Sequence, residues 1–385
     1  MKKLLYIILF LTCYNLTAQQ KLSEKASVSV VTCGPGAELY TAFGHSALRI
    51  YDPLLKIDKI YNYGTFNFNA PNFYLNFAKG KLTYELSTAN FRLFLRVYQY
   101  ENRWVKSQIL NLEYDDVQKV YNFLENNAKP QNKSYEYDFF YDNCSTKIEE
   151  VIKTVLQEKV SFTNTHITTT KSHRDLIDDY TKNHKWSKFG IDLALGSVID
   201  DEATKDDYKF LPDYIYEAFN NATINTNKPL VKRNITFLKE TVKPVSFQYY
   251  QPLIILFIVS ILIIFRTYKN HKTNNRSKWI DFILYFSTGL IGVAVLLLWF
   301  ATTHTATYKN LNFLWAFAPN LIVAFYMLKS KLPEWIKKYN WFLILLLILM
   351  ILVWLFKVQV FNIALLPLVL ALGIRYLFLI KTSSN

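Results

Sequence analysis

In Tyr137-Asp-Phe-Phe-Tyr-Asp-Asn-Cys144-Ser-Thr-Lys-Ile-Glu-Glu150 an aromatic, extended run gives way to helical spacing. Ile148, Val151, Ile152 and Val155 fall on one face of the predicted helix. Asp142 or Asn143 supplies an N-cap, and Thr146 with Glu149 echoes a capping box one turn further on. Cys144 is thereby expected at a helix N-terminus. There, unpaired backbone N–H groups and the positive end of the helix dipole favour thiolate over thiol. Taken alone, the stretch reads equally well as a small buried cysteine at a strand–helix junction.

A thiol nucleophile needs a base within hydrogen-bond reach. Four histidines precede the apolar third of the chain: His45, His166, His173 and His184. His45 stands apart, because Gly44 and Ser46 flank it at the head of a predicted strand and a strand-borne imidazole is held rigidly. The other three lie in Thr-, Lys- and Asp-rich surroundings and read as solvated. To orient the imidazole, the extended run Ile60-Tyr-Asn-Tyr-Gly64 offers Asn62, with Tyr63 as the alternative; Asn62 is as readily a turn or edge residue. Asn143 and Ser145, beside the cysteine, are candidates for binding an oxyanion.

Further out, the 385-residue chain divides in two. Residues 1–18 read as a signal peptide, with an uncleaved anchor as the plainer alternative: Lys2-Lys3, an apolar core over 4–11, and Leu16-Thr17-Ala18 before Gln19. Cys13 lies inside it in a poor lipobox context. Residues 19–248 are polar and Tyr- and Asn-rich, and are expected to form an exported α+β domain. Strands are predicted over 26–32, 47–51, 59–63, 82–88 and 103–112, and helices over 72–79, 115–126, 172–183 and 213–219, with 91–100 ambiguous. The region between the last two helices reads as irregular, and 225–248 as a strand plus tether. Removing the leader leaves Cys33 and Cys144, too few for a disulfide scaffold but enough for one bridge.

Residues 249–385 carry about five apolar spans, over 249–265, 279–300, 311–328, 341–356 and 361–380, each close to the ~20 residues that cross a bilayer. Lys269, Lys272, Arg276 and Lys278 follow the first span, and Lys329, Lys331, Lys337 and Lys338 the third. The connections after the second and fourth are nearly free of basic residues. An outward-to-inward first span therefore satisfies the positive-inside rule and keeps 19–248 outside. Trp279, Trp315, Trp335, Trp341 and Tyr249-Tyr250 fall near span ends, as an interfacial aromatic belt does. The net charge is +14, but many of the basic residues lie between apolar segments, and no nucleic-acid-binding motif accompanies them.

A strand-borne His followed about a hundred residues later by Asn-Cys at a helix start is similar to the circularly permuted papain-like folds of the NlpC type, which include lecithin:retinol acyltransferase and its relatives. More closely, the chain resembles a bacterial membrane-protein family long described only as a domain of unknown function. The resemblance rests on Cys33-Gly-Pro-Gly-Ala-Glu-Leu-Tyr40, Phe43-Gly-His-Ser-Ala-Leu-Arg49, Tyr61-Asn-Tyr-Gly-Thr-Phe66, residues 137–146, Phe210-Leu-Pro-Asp213, His304 and Asn310-Leu-Asn-Phe-Leu-Trp315. Members of that family are understood as lipoprotein N-acyltransferases of the bacterial inner membrane, unrelated in fold to the nitrilase-like enzyme doing that job elsewhere.

The resemblance implies a Cys144 thiolate, with His45 as base, taking an acyl chain from a phospholipid and passing it to the α-amine of a lipoprotein's diacylglyceryl cysteine. No cofactor, metal or nucleic acid is called for. Arg92, Arg96 and Arg103, in an aromatic-rich region, are candidates for headgroup contact, with a solvated face as the plainer reading. His304, in a non-basic connection between spans, is a further candidate for substrate contact. Asp200-Asp201-Glu202 with Asp206-Asp207 reads as a solvated loop rather than a cation site, for it lacks EF-hand spacing. Two other functions compete: a thiol hydrolase (phospholipase or murein peptidase), and a non-catalytic membrane-anchored binding module with Cys33 and Cys144 joined as a disulfide.

Overall fold

Alternating apolar residues and short turns build an antiparallel sheet in the first half of the chain. The computed structural model describes residues 20–66, 69–81, 83–240 and 249–382. The leader over 1–18 with Cys13, and the tether over 241–248, lie outside the described residues. The chain begins with β1 (Ser27–Cys33), β2 (His45–Asp52), β3 (Ile57–Thr65), α1 (Phe73–Ala78), β4 (Thr83–Asn90) and α2 (Phe91–Tyr100). It continues through β5 (Val105–Leu110), α3 (Tyr114–Asn127), β6 (Ser134–Glu136), α4 (Cys144–Leu156), β7 (Val160–Ser161), α5 (His173–Thr181), α6 (Lys185–Ala194) and α7 (Pro212–Asn221). The strands β8 (Thr223–Ile224), β9 (Lys228–Pro229) and β10 (Val231–Leu238) close this part.

Seven strands pair in the order β10-β5-β1-β2-β3-β4-β6. Because side chains alternate across a strand, the sheet has two unlike faces. Val28, Val30, Leu48 and Ile50 turn to one and pack with Val117, Val120, Leu124, Ile148 and Ile152 of α3 and α4. Val31, Cys33, Ala47 and Ile60 turn to the other, under Phe91, Phe94 and Tyr98 of α2. The ambiguous stretch 91–100 is thus a helix, capped by the Asn90 side chain, with its aromatic stripe buried. The β3–β4 pairing slips between Asn62 and Thr65, so that Tyr63 and Gly64 form a bulge.

Sequence periodicity missed α6. Its residues Phe189 and Leu193 pack against the membrane bundle rather than into the domain's own core. Asp200 is not solvated either: Arg174, itself buried, pairs with Asp200 and Asp192.

Among the described residues, four helices are long and apolar enough to cross a membrane: α8 (Pro252–Thr273), α9 (Lys278–Phe300), and two that follow the short α10 (Asn320–Tyr326), namely α11 (Trp335–Leu355) and α12 (Leu365–Thr382). The stretch 311–328, expected as a continuous span, is broken. A 3-10 turn over Leu311–Leu314 leads through Pro319 into α10. It packs so tightly on α9 that a Cβ on Gly292 would lie 1.9 Å from the Ala316 carbonyl, and one on Gly289 2.1 Å from the Leu321 nitrogen. Irregular backbone at such depth is tolerated where protein covers it. The segment still joins the two ends of the bundle. Asn310 and Asn312 bond backbone carbonyls of α6, whereas Met327 and Lys329 accept from Arg276 in the α8–α9 connection. The two Lys/Arg-rich connections therefore lie together, at the end opposite the α+β domain.

Candidate functional site

Asn143 is the cap that sets Cys144 at the first position of α4. Its Oδ1 accepts from the Ser145 and Thr146 N–H groups, and Thr146 Oγ1 accepts in return from the Asn143 N–H. The capping box is closed by Thr146, not by the later Thr146–Glu149 pair. The Asn143 Nδ2 donates to the Phe139 and Phe210 carbonyls, each at 2.8 Å. The side chain expected as an oxyanion donor is thus fully spent on bracing the turn before the helix. Within that turn, Asp138 and Asp142 exchange backbone hydrogen bonds, and Asp138 Oδ1 caps the Phe140 and Tyr141 N–H groups.

His45 opens β2, opposite Cys33 on β1. Its Nε2 makes a short hydrogen bond to Asn62 Oδ1. An amide oxygen only accepts, so in the neutral ring Nε2 carries the proton and Nδ1 is left as the acceptor; His45 and Cys144 lie close enough to interact by charge and hydrogen bonding. Cys144 and His45 are both half-buried. Burial opposes the thiolate, but the imidazolium beside it, the Ser46 backbone N–H and the Ser145 hydroxyl outweigh burial and hold the Cys144 pKa below the ordinary thiol value. For His45 burial again opposes charge, and the Cys144 sulfur together with Asn62 raises the pKa above the ordinary imidazole value. Both shifts favour the thiolate–imidazolium pair.

The Gly64 bulge makes room beside this pair. With φ at +88°, it occupies a conformation that glycine adopts freely, and a Cβ there would lie 3.5 Å from Cys144 Cβ and 3.9 Å from His45 Cε1. The Tyr135 hydroxyl borders the same niche, 4.0 Å from that point. Its oxygen is buried and, a marginal approach by the Gly64 N–H aside, engages no hydrogen bond. Sequence reasoning missed Tyr135, Ser46 and Gly64. Only the Gly64 break at the end of a strand carried any signal.

Arg103 is buried, donating from Nε to the Gly34 carbonyl and from Nη1 to Glu101 while stacking over Tyr98. These bonds pin the loop after β1, and the Arg103 charge reaches His45, where it opposes protonation of the ring. Arg92 and Arg96 are exposed on the outer side of α2. The His304 Nε2 meets the Phe77 carbonyl at 2.9 Å and clamps α1 to the membrane bundle. His173 is not solvated: it is buried against Phe140, Tyr141 and Phe210. Cys33 and Cys144 are free thiols, which removes the disulfide on which a purely structural reading relied.

Two family models match the chain: an Lnb N-terminal periplasmic domain over residues 14–178 and an Lnb transmembrane domain over residues 244–385. No curated protein and no solved structure matches it. With most of each part matched, the chain belongs to the Lnb family, the apolipoprotein N-acyltransferase family, and is a membrane-anchored, lipoprotein-modifying protein with a periplasmic domain.

Proposed function

We propose that this protein N-acylates lipoproteins at the outer face of the bacterial inner membrane by a two-step transfer through a Cys144 thioester. The observation that carries the reading is the Cys144–His45–Asn62 line: a thiol at a capped helix N-terminus, an imidazole bonded to it, and an amide fixing the tautomer. The order of these residues along the chain, with the thiol on a helix packed against an antiparallel sheet that bears the imidazole, agrees with the permuted papain-like arrangement. Residues 19–248 then face the periplasm, and the two basic connections face the cytoplasm.

In the first step the Cys144 thiolate attacks the carbonyl carbon of a phospholipid acyl ester. The negative charge moves to the carbonyl oxygen, and two donors suit it. One is the Cys144 backbone N–H, which as the first residue of α4 has no acceptor within the helix. The other is the Tyr135 hydroxyl at the Gly64 niche. When the intermediate collapses, the ester C–O bond breaks and the lysophospholipid oxygen leaves with the proton from the His45 imidazolium. A thioester and neutral His45 remain.

In the second step the neutral α-amine of a diacylglyceryl cysteine attacks the thioester. His45 takes a proton from the nitrogen, the C–S bond breaks, and the thiolate returns beside imidazolium. Asn62 holds the ring throughout. A water molecule in place of the amine would give hydrolysis, so exclusion of water separates the two outcomes. The membrane bundle favours transfer, since both acyl donor and acceptor are lipid-anchored.

The test is mass spectrometry on the full-length protein in phospholipid vesicles. Donor alone should load an acyl mass on Cys144, and a diacylglyceryl-cysteinyl peptide should then discharge it as an N-acyl amide. The Cys144→Ser chain should form neither. Free fatty acid as the only product, with the peptide unmodified, overturns the transferase in favour of a hydrolase.

A further inference from the structure

Helix α1 presents an anomaly: none of its residues is buried, and Tyr74, Leu75 and Phe77 are 77, 52 and 53% exposed. Three large apolar side chains on a six-residue helix are costly in water unless something covers them. The helix is also firmly tethered. The Thr303 N–H and hydroxyl both donate to the Lys79 carbonyl, the same hydroxyl reaches Gly80, and His304 meets Phe77. Gly80, with φ at +75°, allows this approach, for a Cβ there would lie 2.8 Å from the His304 nitrogen. Thr303 follows the end of α9, a membrane-length helix whose last residue, Phe300, is itself exposed. The tether therefore holds Tyr74, Leu75 and Phe77 level with the end of a bilayer-crossing helix, where lipid is the available cover.

From α1 a line of aromatic rings runs back toward the thiol. Phe77 and Phe73 have centroids 6.4 Å apart, Phe73 and Phe66 5.9 Å, and Phe66 and Tyr84 5.2 Å. Tyr84 stacks on Tyr137 at 4.0 Å. Tyr137 begins the turn that delivers Cys144, and Thr305, next to the His304 clamp, donates to Asp138 in that turn at 2.8 Å. One connection between membrane helices thus fastens both ends of the aromatic line.

We infer that α1 seats in the outer leaflet and that Phe77, Phe73, Phe66, Tyr84 and Tyr137 form the wall along which a phospholipid acyl chain lies while its ester reaches Cys144. The seating of α1 stands on the tether and exposure alone. The wall rests on the proposed transfer reaction. Aromatic rings suit this task, since they offer a large apolar area and adapt to chains of varied unsaturation.

The experiment has two arms, both on the full-length chain in phosphatidylethanolamine–phosphatidylcholine vesicles. In the first, bimane is attached at Tyr74→Cys in a Cys13→Ser, Cys144→Ser background, where the remaining Cys33 is buried. Leu54→Cys is the reference: it is exposed in the turn after β2, whose far end is about 23 Å from His45 along the strand. Doxyl-labelled lipid should quench the label at 74 and iodide the label at 54. Equal quenching of both by iodide, with the lipid quencher silent, overturns the seating whether or not the protein is a transferase. In the second arm, Cys144 thioester formation is compared for long-chain and short-chain phospholipid donors. Phe73→Ser should lower the long-to-short rate ratio about tenfold. An unchanged ratio with α1 still lipid-quenched retires the wall, and absence of any thioester in the unsubstituted chain retires the reaction beneath it.

Discussion

Cys33 and Cys144 both neighbour one histidine, and their surroundings drive their acidities apart. Cys33 ends β1 directly opposite His45, within a cluster of Val31, Ala47, Phe91 and Phe94. Burial pushes its thiol well above the usual range, and the Arg103 charge and a hydrogen bond with Tyr98 only partly offset that. Cys144 suffers the same desolvation penalty but gains the imidazolium, a strand N–H and the start of a helix. Two thiols in one site thus differ in what lies within hydrogen-bond reach of sulfur, and burial alone does not decide reactivity.

The difference between the two thiols depends most on His45. Removing the imidazole takes away the largest stabiliser of the thiolate, so His45→Ala should move the midpoint of Cys144 alkylation upward in pH. Turnover should fall by about a thousandfold or more. In the unsubstituted protein, iodoacetamide should label Cys144 below the ordinary thiol pKa and leave Cys33 unlabelled over the same range. A profile for Cys144 that does not move in His45→Ala, or labelling of Cys33 first, would show that the pairing does not control the thiol.

Tyr135 belongs to the reactive thiol, because its hydroxyl borders the niche beside Cys144. If it donates to the developing oxyanion, Tyr135→Phe should lower kcat by about a hundredfold with little change in KM. The same substitution removes a buried, unsatisfied hydroxyl and should leave Tm unchanged or slightly higher. An unaltered kcat with a raised Tm would reduce Tyr135 to a packing residue.

How much of this was legible follows from where each signal resides. The cap of α4 was readable, because Asn143, Cys144 and Thr146 are sequence neighbours and capping is local. The brace from Asn143 to Phe210 spans 67 residues and left no local trace, so an amide already fully bonded looked available. His45 and Asn62 were readable as strand-borne polar residues, whereas Tyr135 lies on a three-residue strand too short for any pattern. In the bundle, counting apolar residues found the stretch 311–328 but not its break. The polar and helix-breaking residues Asn312, Pro319 and Asn320 carried that information, and the glycines that accept the irregular backbone lie on another helix. His173 misled for a similar reason: polar neighbours in sequence surround a ring that in space meets three aromatics.

The finest test of the two thiols is Cys33→Ser. Serine can keep a hydrogen bond to Tyr98, but its hydroxyl is more strongly hydrated than a thiol, so placing it among Val31, Ala47 and Phe94 should cost about 1–2 kcal/mol. That corresponds to a fall in Tm of a few degrees. Turnover should stay within about threefold, because the His45 ring is held by Asn62 and Cys144 rather than by Cys33. If turnover instead collapses while Tm holds, the residue opposite His45 acts on the imidazole after all. The division between one reactive and one inert thiol would then give way to a single coupled site.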